Sequence, residues 1–280
     1  MLAYRHLFHA GIFADVFKHA LLARLLISLG EKEKPYCYLD THAGIGRYDL
    51  THAWAQKARE YKNGIARLWE RKDIPPALAP YLEAVKAENP RGKLRFYPGS
   101  PLIARRLVRP IDRIVLIELN KTDYAELKRL FAHDKQVAIH YLDGYQGLKA
   151  FLPPRERRGL VLIDSSFDRA REFARIVAAL RAAHARWPTG MYAIWYPLMS
   201  PGAMQNFDRE VKNSGIRKIL KLELEIAERD LDATIPGCGM LIINPPWRFE
   251  DEARPLLRWL WSALSPTGAG GARVNWLVPE

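Results

Sequence analysis

The sequence predicts a doubly wound α/β fold built on a mostly parallel sheet of seven or more strands. Eight short apolar runs recur along the chain, segments with helical spacing lie between most of them, and three runs in a row close on Asp or Glu. Parallel strands need long crossover connections, and a sheet covered on both faces is written in continuous apolar runs rather than alternating ones. The 280 residues are 49% apolar, enough to bury a core.

The chain begins "MLAYRHLFHAGIFADVFKHALLARLLISLG", in which His6, His9, Asp15, Lys18 and Arg24 interrupt every apolar run before it reaches membrane-spanning length. No signal peptide or membrane helix is expected from it. An amphipathic helix from about Ala14 to Leu29 would bring Lys18 and His19 to the ligand edge of the sheet. Three histidines crowd this segment, but no Cys or acid completes a tetrahedral set at suitable spacing, so no metal is expected. The two cysteines, Cys37 and Cys238, are too few for a disulfide framework and fit a reducing cytosol.

"YCYLD" (36–40) reads as the first strand, and "THAGIGRY" follows it. Gly44 and Gly46 let the backbone approach a ligand, as glycines do at the carboxyl edge of open sheets. The spacing from Asp40 resembles D-x-G-x-G-x-G, the S-adenosylmethionine loop of Rossmann-like methyltransferases, with His42 at the first glycine position. Residues 52–98 break the rhythm and read as a helical insertion, with Tyr61, Ile65, Leu68 and Trp69 on one stripe. Ten Lys or Arg face five acids there. Such a lobe could hold a nucleic-acid backbone or could be a solvated helical face. The net charge of +12, spread along the chain, makes a polyanion the first partner to consider.

"RIVLIEL" (113–119) supplies the second strand, and Glu118 at its end suits the two hydroxyls of a ribose. "QVAIHYL" (136–142) precedes Asp143-Gly144, a pair placed to meet an adenine edge. "GLVLID" (159–164) ends in Asp164, within "IDSSFD". Amino-methyltransferases carry [DNS]-P-P-[YFW] here, because the lone pair of an exocyclic amine is delocalised into its ring. A carboxylate and the next carbonyl can accept both N–H bonds and aim the nitrogen at a methyl donor. Asp164, the Ser165 carbonyl and a stacking Phe167 keep those atoms, while the stiffness of two prolines is absent.

The remaining strands are "MYAIWY" (191–196), "IRKILKLELEI" (216–226), "GMLIIN" (239–244) and "ARVNWLV" (272–278). "INPPW" (243–247) matches the amino-methyltransferase tetrapeptide better by letter. Its place on the seventh strand, which runs antiparallel in methyltransferase sheets, puts it at the wrong edge, with Pro245-Pro246 ending the strand and Trp247 packing.

In order along the chain, "YRHxFHAGxxADVxKH", "YLDTHAGxGRY", "YPGSPLIA", "RRGLxLID", "YAxWYP", "GIRKIL", "INPPW" and "WxVPE" resemble the bacterial 23S rRNA adenine-N6 methyltransferase family, type J. The resemblance implies a monomeric, cytoplasmic, Rossmann-like class I enzyme of one domain (1–280) with the insertion (52–98) inside it. It implies methyl transfer from S-adenosylmethionine to an adenine of 23S rRNA before or early in subunit assembly. By matching motif, His19, His42, Ser100, Glu118, Asp143, Gly144 and Asp164 would line the cofactor pocket, Asp164 would also act as the catalytic proton acceptor, and Tyr4 would meet the adenine. Two departures stand out: Ile12 replaces the usual Asn, and Ser165-Ser166-Phe167 replaces the proline loop. The competing reading is a nucleic-acid-binding protein of weak or no activity, linked to the use of external DNA. A third is an adenine methyltransferase of DNA or of small molecules.

Overall fold

All eight apolar runs are strands of one sheet. The computed structural model describes residues 6–167, 171–226, 235–265 and 267–280. In chain order the strands are β1 (Cys37–Asp40), β2 (Arg47–Asp49), β3 (Phe96–Pro98), β4 (Arg113–Glu118), β5 (Val137–Tyr141), β6 (Gly159–Ile163), β7 (Met191–Pro197), β8 (Ile219–Glu225), β9 (Gly237–Ile243) and β10 (Gly271–Val278). The helices are α1 (Phe13–Gly30), α2 (Ala53–Ala58), α3 (Ala66–Trp69), α4 (Ala79–Ala87), α5 (Ser100–Leu107), α6 (Lys121–Leu130), α7 (Gly144–Phe151), α8 (Glu172–Arg186), α9 (Pro201–Lys212) and α10 (Phe249–Leu264).

The large sheet has the order β10-β8-β9-β7-β6-β1-β4-β5. From β5 to β7 every neighbour is parallel, and β9 and β10 run against the strands beside them. The fold is therefore the Rossmann-like α/β class expected. Parallel pairing places Asp40, Glu118, Asp143 and Asp164, which end or follow β1, β4, β5 and β6, along one edge. Asn244 follows the antiparallel β9 and lies at the other edge, donating to the carbonyls of Pro188 and Gly190 just before β7, each at 2.8 Å. Pro245-Pro246 does follow the end of the strand, but Trp247 packs against nothing much. It is 90% exposed, because the chain turns outward after the antiparallel strand.

Helix α1 differs from the amphipathic expectation. Fourteen of its eighteen residues are buried, since it packs against β6 and β9 and also against α4, α5 and α10. The charged pair Asp15 and Lys18 is thereby carried into the interior.

Residues 52–98 hold α2, α3, α4 and two short 3₁₀ turns, Glu60–Asn63 and Pro76–Leu78. The expected single stripe is cut at Gly64, where a Cβ would sit 2.0 Å from the Gly11 carbonyl. The Ile65 amide donates to that carbonyl at 2.8 Å, and Ile65 and Leu68 are buried in the same apolar cluster as α1. A small antiparallel pair, β2 with β3, was not legible in the sequence, because three residues are too short to display an alternation.

Candidate functional site

A cavity of about 430 Å³ opens at the carboxyl edge of β1, β4, β5 and β6. His19, His42, Ser100, Glu118, Asp143, Gly144, Asp164 and Phe167 all line it. Tyr4 lies outside the described residues.

Two loops form its floor. After β1 the chain turns through Gly44 and Gly46, both at positive φ, and a Cβ on Gly44 would meet the Tyr48 hydroxyl at 2.4 Å. The Gly44 amide donates to Glu118 Oε2 at 2.8 Å and the Asn120 amide to Oε1 at 2.6 Å. A carboxylate offers about four acceptor directions, so two remain for donors arriving from the cavity. Burial holds the Glu118 carboxyl above its ordinary value. The Asp40 side chain, fully buried, accepts from the Tyr38 hydroxyl (2.8 Å), the Ser100 hydroxyl (2.6 Å) and the His42 amide (3.2 Å). Desolvation pushes it up to about 6. These bonds tie the start of α5 to the glycine turn.

Asp143 caps α7 by accepting from the amides of Tyr145 (3.0 Å) and Gln146 (3.1 Å). Gly144 has no room for a side chain, because a Cβ would lie 2.3 Å from the Thr41 carbonyl. The His42 ring meets the Tyr145 ring edge-on, and burial pushes its pKa down.

The Asp164 end of the cavity is built around charges brought from helix α1. Lys18 Nζ lies 2.6 Å from Asp164 Oδ2 and 2.9 Å from Asp15 Oδ1. Burial alone would lower the ammonium, but the two carboxylates hold it well above its ordinary value. Asp15 also meets His6 Nε2 at 3.0 Å and accepts from the Gly11 amide at 2.9 Å. Despite burial, His6 and Lys18 hold it well below the usual carboxylate range. Two of the three amino-terminal histidines, His6 and His9, are thus partners of carboxylates, with His9 at 2.8 Å from Glu60. His19 is kept neutral by burial and the neighbouring Lys18, and its Nδ1 shares a 2.8 Å bond with the Tyr97 hydroxyl.

Aromatic rings close the wall beyond Asp164. Phe167, at φ +52°, packs against Phe173 at 5.0 Å and meets Trp195 edge-on at 5.8 Å. The Lys18 ammonium lies 5.8 Å from the centre of the Trp195 ring.

Sequence reasoning passed over Lys18 as the partner of Asp164, and gave no site role to Asp15, Tyr145, Glu172, Arg175 or Trp195, all of which line the cavity. Asp40, read as the first residue of the glycine loop, lies behind the cavity wall and does not line it. The i, i+3 spacing of Asp15 and Lys18 was a usable signal only once α1 was known to cross the sheet edge.

Three comparisons relate the whole chain to known proteins. The sequence profile of the family described as "Ribosomal RNA large subunit methyltransferase D, RlmJ" matches residues 33–278. Two proteins named "Ribosomal RNA large subunit methyltransferase J", from Escherichia coli strain K12 and from Haemophilus influenzae, are each 44% identical to this chain over the full length of both partners. A crystal structure of a Legionella pneumophila protein is 38% identical, covers 95% of this chain and 97% of its own, and superposes with a TM-score of 0.87.

Proposed function

Since this chain belongs to the family of ribosomal RNA large subunit methyltransferases of type J, we propose that it transfers a methyl group from S-adenosylmethionine to the N6 amine of an adenine in 23S rRNA. The observation that carries the reading is the Asp164 carboxylate, held by Lys18 in the cavity that Glu118 and the Gly44 turn also line.

The cavity fits the cofactor by its own chemistry. Its volume lies within the range of small-molecule sites, and Glu118 offers paired acceptors for a ribose. When bound, S-adenosylmethionine supplies an electrophilic methyl on a sulfonium.

The chain's residues do the rest. The Lys18 ammonium occupies Asp164 Oδ2, which leaves Oδ1 to accept one N–H of the target amine. The Ser165 carbonyl is the second acceptor, so both hydrogens are held and the nitrogen lone pair points forward. Asp164 then receives the proton that the methylated nitrogen must lose, and the cation beside it stabilises the carboxylate until that moment. Phe167 and Trp195 supply the aromatic wall against which a base can lie.

A base paired in a helix hides its N6, so the target is read as an adenine turned out of its stack, with flanking phosphates on the basic surface. We take the substrate to be 23S rRNA free of protein or early in assembly, and the enzyme to be a cytoplasmic monomer of one domain that uses no metal. Residues 52–98 act within it as an RNA-holding subdomain. His19, His42, Ser100, Glu118, Asp143, Gly144 and Asp164 line the cofactor pocket, and Tyr4 meets the adenine. Among the described residues, no helix is long and apolar enough to cross a membrane.

Full-length similarity to proteins named as methyltransferases favours catalysis over a binding-only role. The test is transfer of labelled methyl to a 23S rRNA fragment carrying the target hairpin. Transfer is expected from the wild-type protein and abolished in Asp164→Ala. No transfer by a wild-type protein that still binds S-adenosylmethionine would leave the binding-only reading.

A further inference from the structure

Phe167 is held in a conformation that its own loop does not enforce. It sits at φ +52°, in the left-handed region that a bulky side chain rarely adopts, and the two residues before it are serines rather than prolines. Such a conformation persists only where the surroundings determine it, and here they are aromatic. Phe167 meets Trp195 at 5.8 Å and Phe173 at 5.0 Å, and Phe173 in turn lies 4.7 Å from Phe207 of α9. Phe207 is buried and meets the Tyr196 ring edge-on at 5.2 Å, so a column of four rings runs from the cavity wall into the core.

Phe173 is the neighbour of Glu172, which opens α8 and lines the cavity as a buried carboxylate with no part in the transfer itself. Both of its oxygens are engaged. Oε1 accepts from the Tyr145 hydroxyl of α7 at 2.6 Å, and Oε2 accepts from Arg175 Nη1 at 3.0 Å. The same guanidinium lies 4.9 Å from the Tyr145 ring centre and 3.7 Å from Asp143 Oδ2. Charge-assisted bonds of this kind are short and directional, so the carboxylate ties the start of α8 to the start of α7, one residue away from Phe173.

We infer, resting on the proposed function for the identity of the base, that Glu172 is a positioning residue for the target adenine. The clamp of Tyr145 and Arg175 on its carboxylate fixes Phe173, and Phe173 fixes the face of Phe167 on which the adenine stacks. Loss of the clamp lets α8 shift at its first turn, and Phe167 then leaves its constrained conformation and presents a disordered wall to the base.

The test compares binding of the target hairpin with binding of the same hairpin made abasic at the target position, without S-adenosylmethionine. The ratio of the two affinities isolates the base, because a change that merely loosens the protein weakens both RNAs alike. Glu172→Gln and Tyr145→Phe break the same bond from opposite sides, and each is expected to lower the ratio about threefold to tenfold, the pair no further than the worse single. In a Phe167→Ala background Glu172→Gln is expected to leave the ratio within about twofold, since the wall it orders is gone. A ratio that neither single change moves, or an equal loss with and without Phe167, overturns the assignment. A wild type that transfers no methyl, while its ratio still depends on Glu172 through Phe167, would sink the proposed function and leave the positioning role standing.

Discussion

Lys18 Nζ lies 2.6 Å from Asp164 Oδ2, joining residues 146 positions apart. The same ammonium bonds Asp15, so one buried cation serves two carboxylates. Lys18→Met would leave both acids facing each other without compensation. Breaking a buried pair costs about 3–5 kcal/mol, and the partial exposure of Asp164 reduces this to about 2–4 kcal/mol. Urea denaturation should report that loss with an unchanged m value. With the carboxylate proposed to orient the amine freed to turn, kcat should fall by about 100-fold or more. A variant with wild-type stability and turnover would show that the pair is incidental.

Asp40 makes stability depend on pH in an unusual direction. Its carboxyl is at about 6 in the fold, against an unfolded value near 4. A raised carboxyl favours the folded state fully below the unfolded value, and that contribution is lost as pH rises through the folded one. Between about pH 4 and pH 6 the change is on the order of 2–3 kcal/mol. Asp15 and Glu156, both held low, work the other way and at lower pH. Asp40→Asn removes the Asp40 contribution only. Denaturation at several pH values should therefore show the variant gaining on the wild type by that amount as pH rises from 4 to 6.5, and parallel curves would refute the assignment.

The eight strands of the large sheet were legible because each is a buried, continuous apolar run whose length fits a strand. The acids that follow four of them were legible because a parallel sheet puts such residues on one edge. The charge pair behind Asp164 was not, because Lys18 comes from a helix whose burial on all sides depends on α4, α5 and α10 packing around it. No local pattern carries that information. Trp247 misled for a related reason, as an aromatic after a strand packs or protrudes according to the direction of the strand. The β2–β3 pair and the break at Gly64 follow from contacts with residues far away in sequence, such as Gly11.

Gly144 offers a test of the cofactor end alone. A Cβ there would meet the Thr41 carbonyl at 2.3 Å and the His42 ring at 3.0 Å. Backbone must therefore move, and with it the loop from Thr41 to Gly44. Gly144→Ala is expected to raise the dissociation constant for S-adenosylmethionine about tenfold or more by calorimetry. Affinity for the RNA hairpin measured without cofactor should stay within about twofold, since the basic surface is untouched. Equal losses in both would mean that the substitution unfolds the site rather than crowding it.

The insertion can be tested through salt. Some of its cations are already paired, Arg71 with Asp73 and Arg95 with Asp49, and Glu88 just after α4 is taken by Arg47 of the adjoining β2. Lys57 on α2 and Lys62 in the following turn are exposed, and so are the ones expected to meet phosphates. Each phosphate neutralised adds about 0.9 to the slope of log affinity against log salt on a duplex, and about 0.7 on a single strand. Lys57→Gln with Lys62→Gln should therefore flatten the slope for hairpin binding by about one to two and weaken binding most at low salt. The kcat at saturating RNA should change little, because neither residue lines the cavity. An unchanged slope would assign these lysines to a solvated face and move the RNA-binding surface elsewhere on the protein.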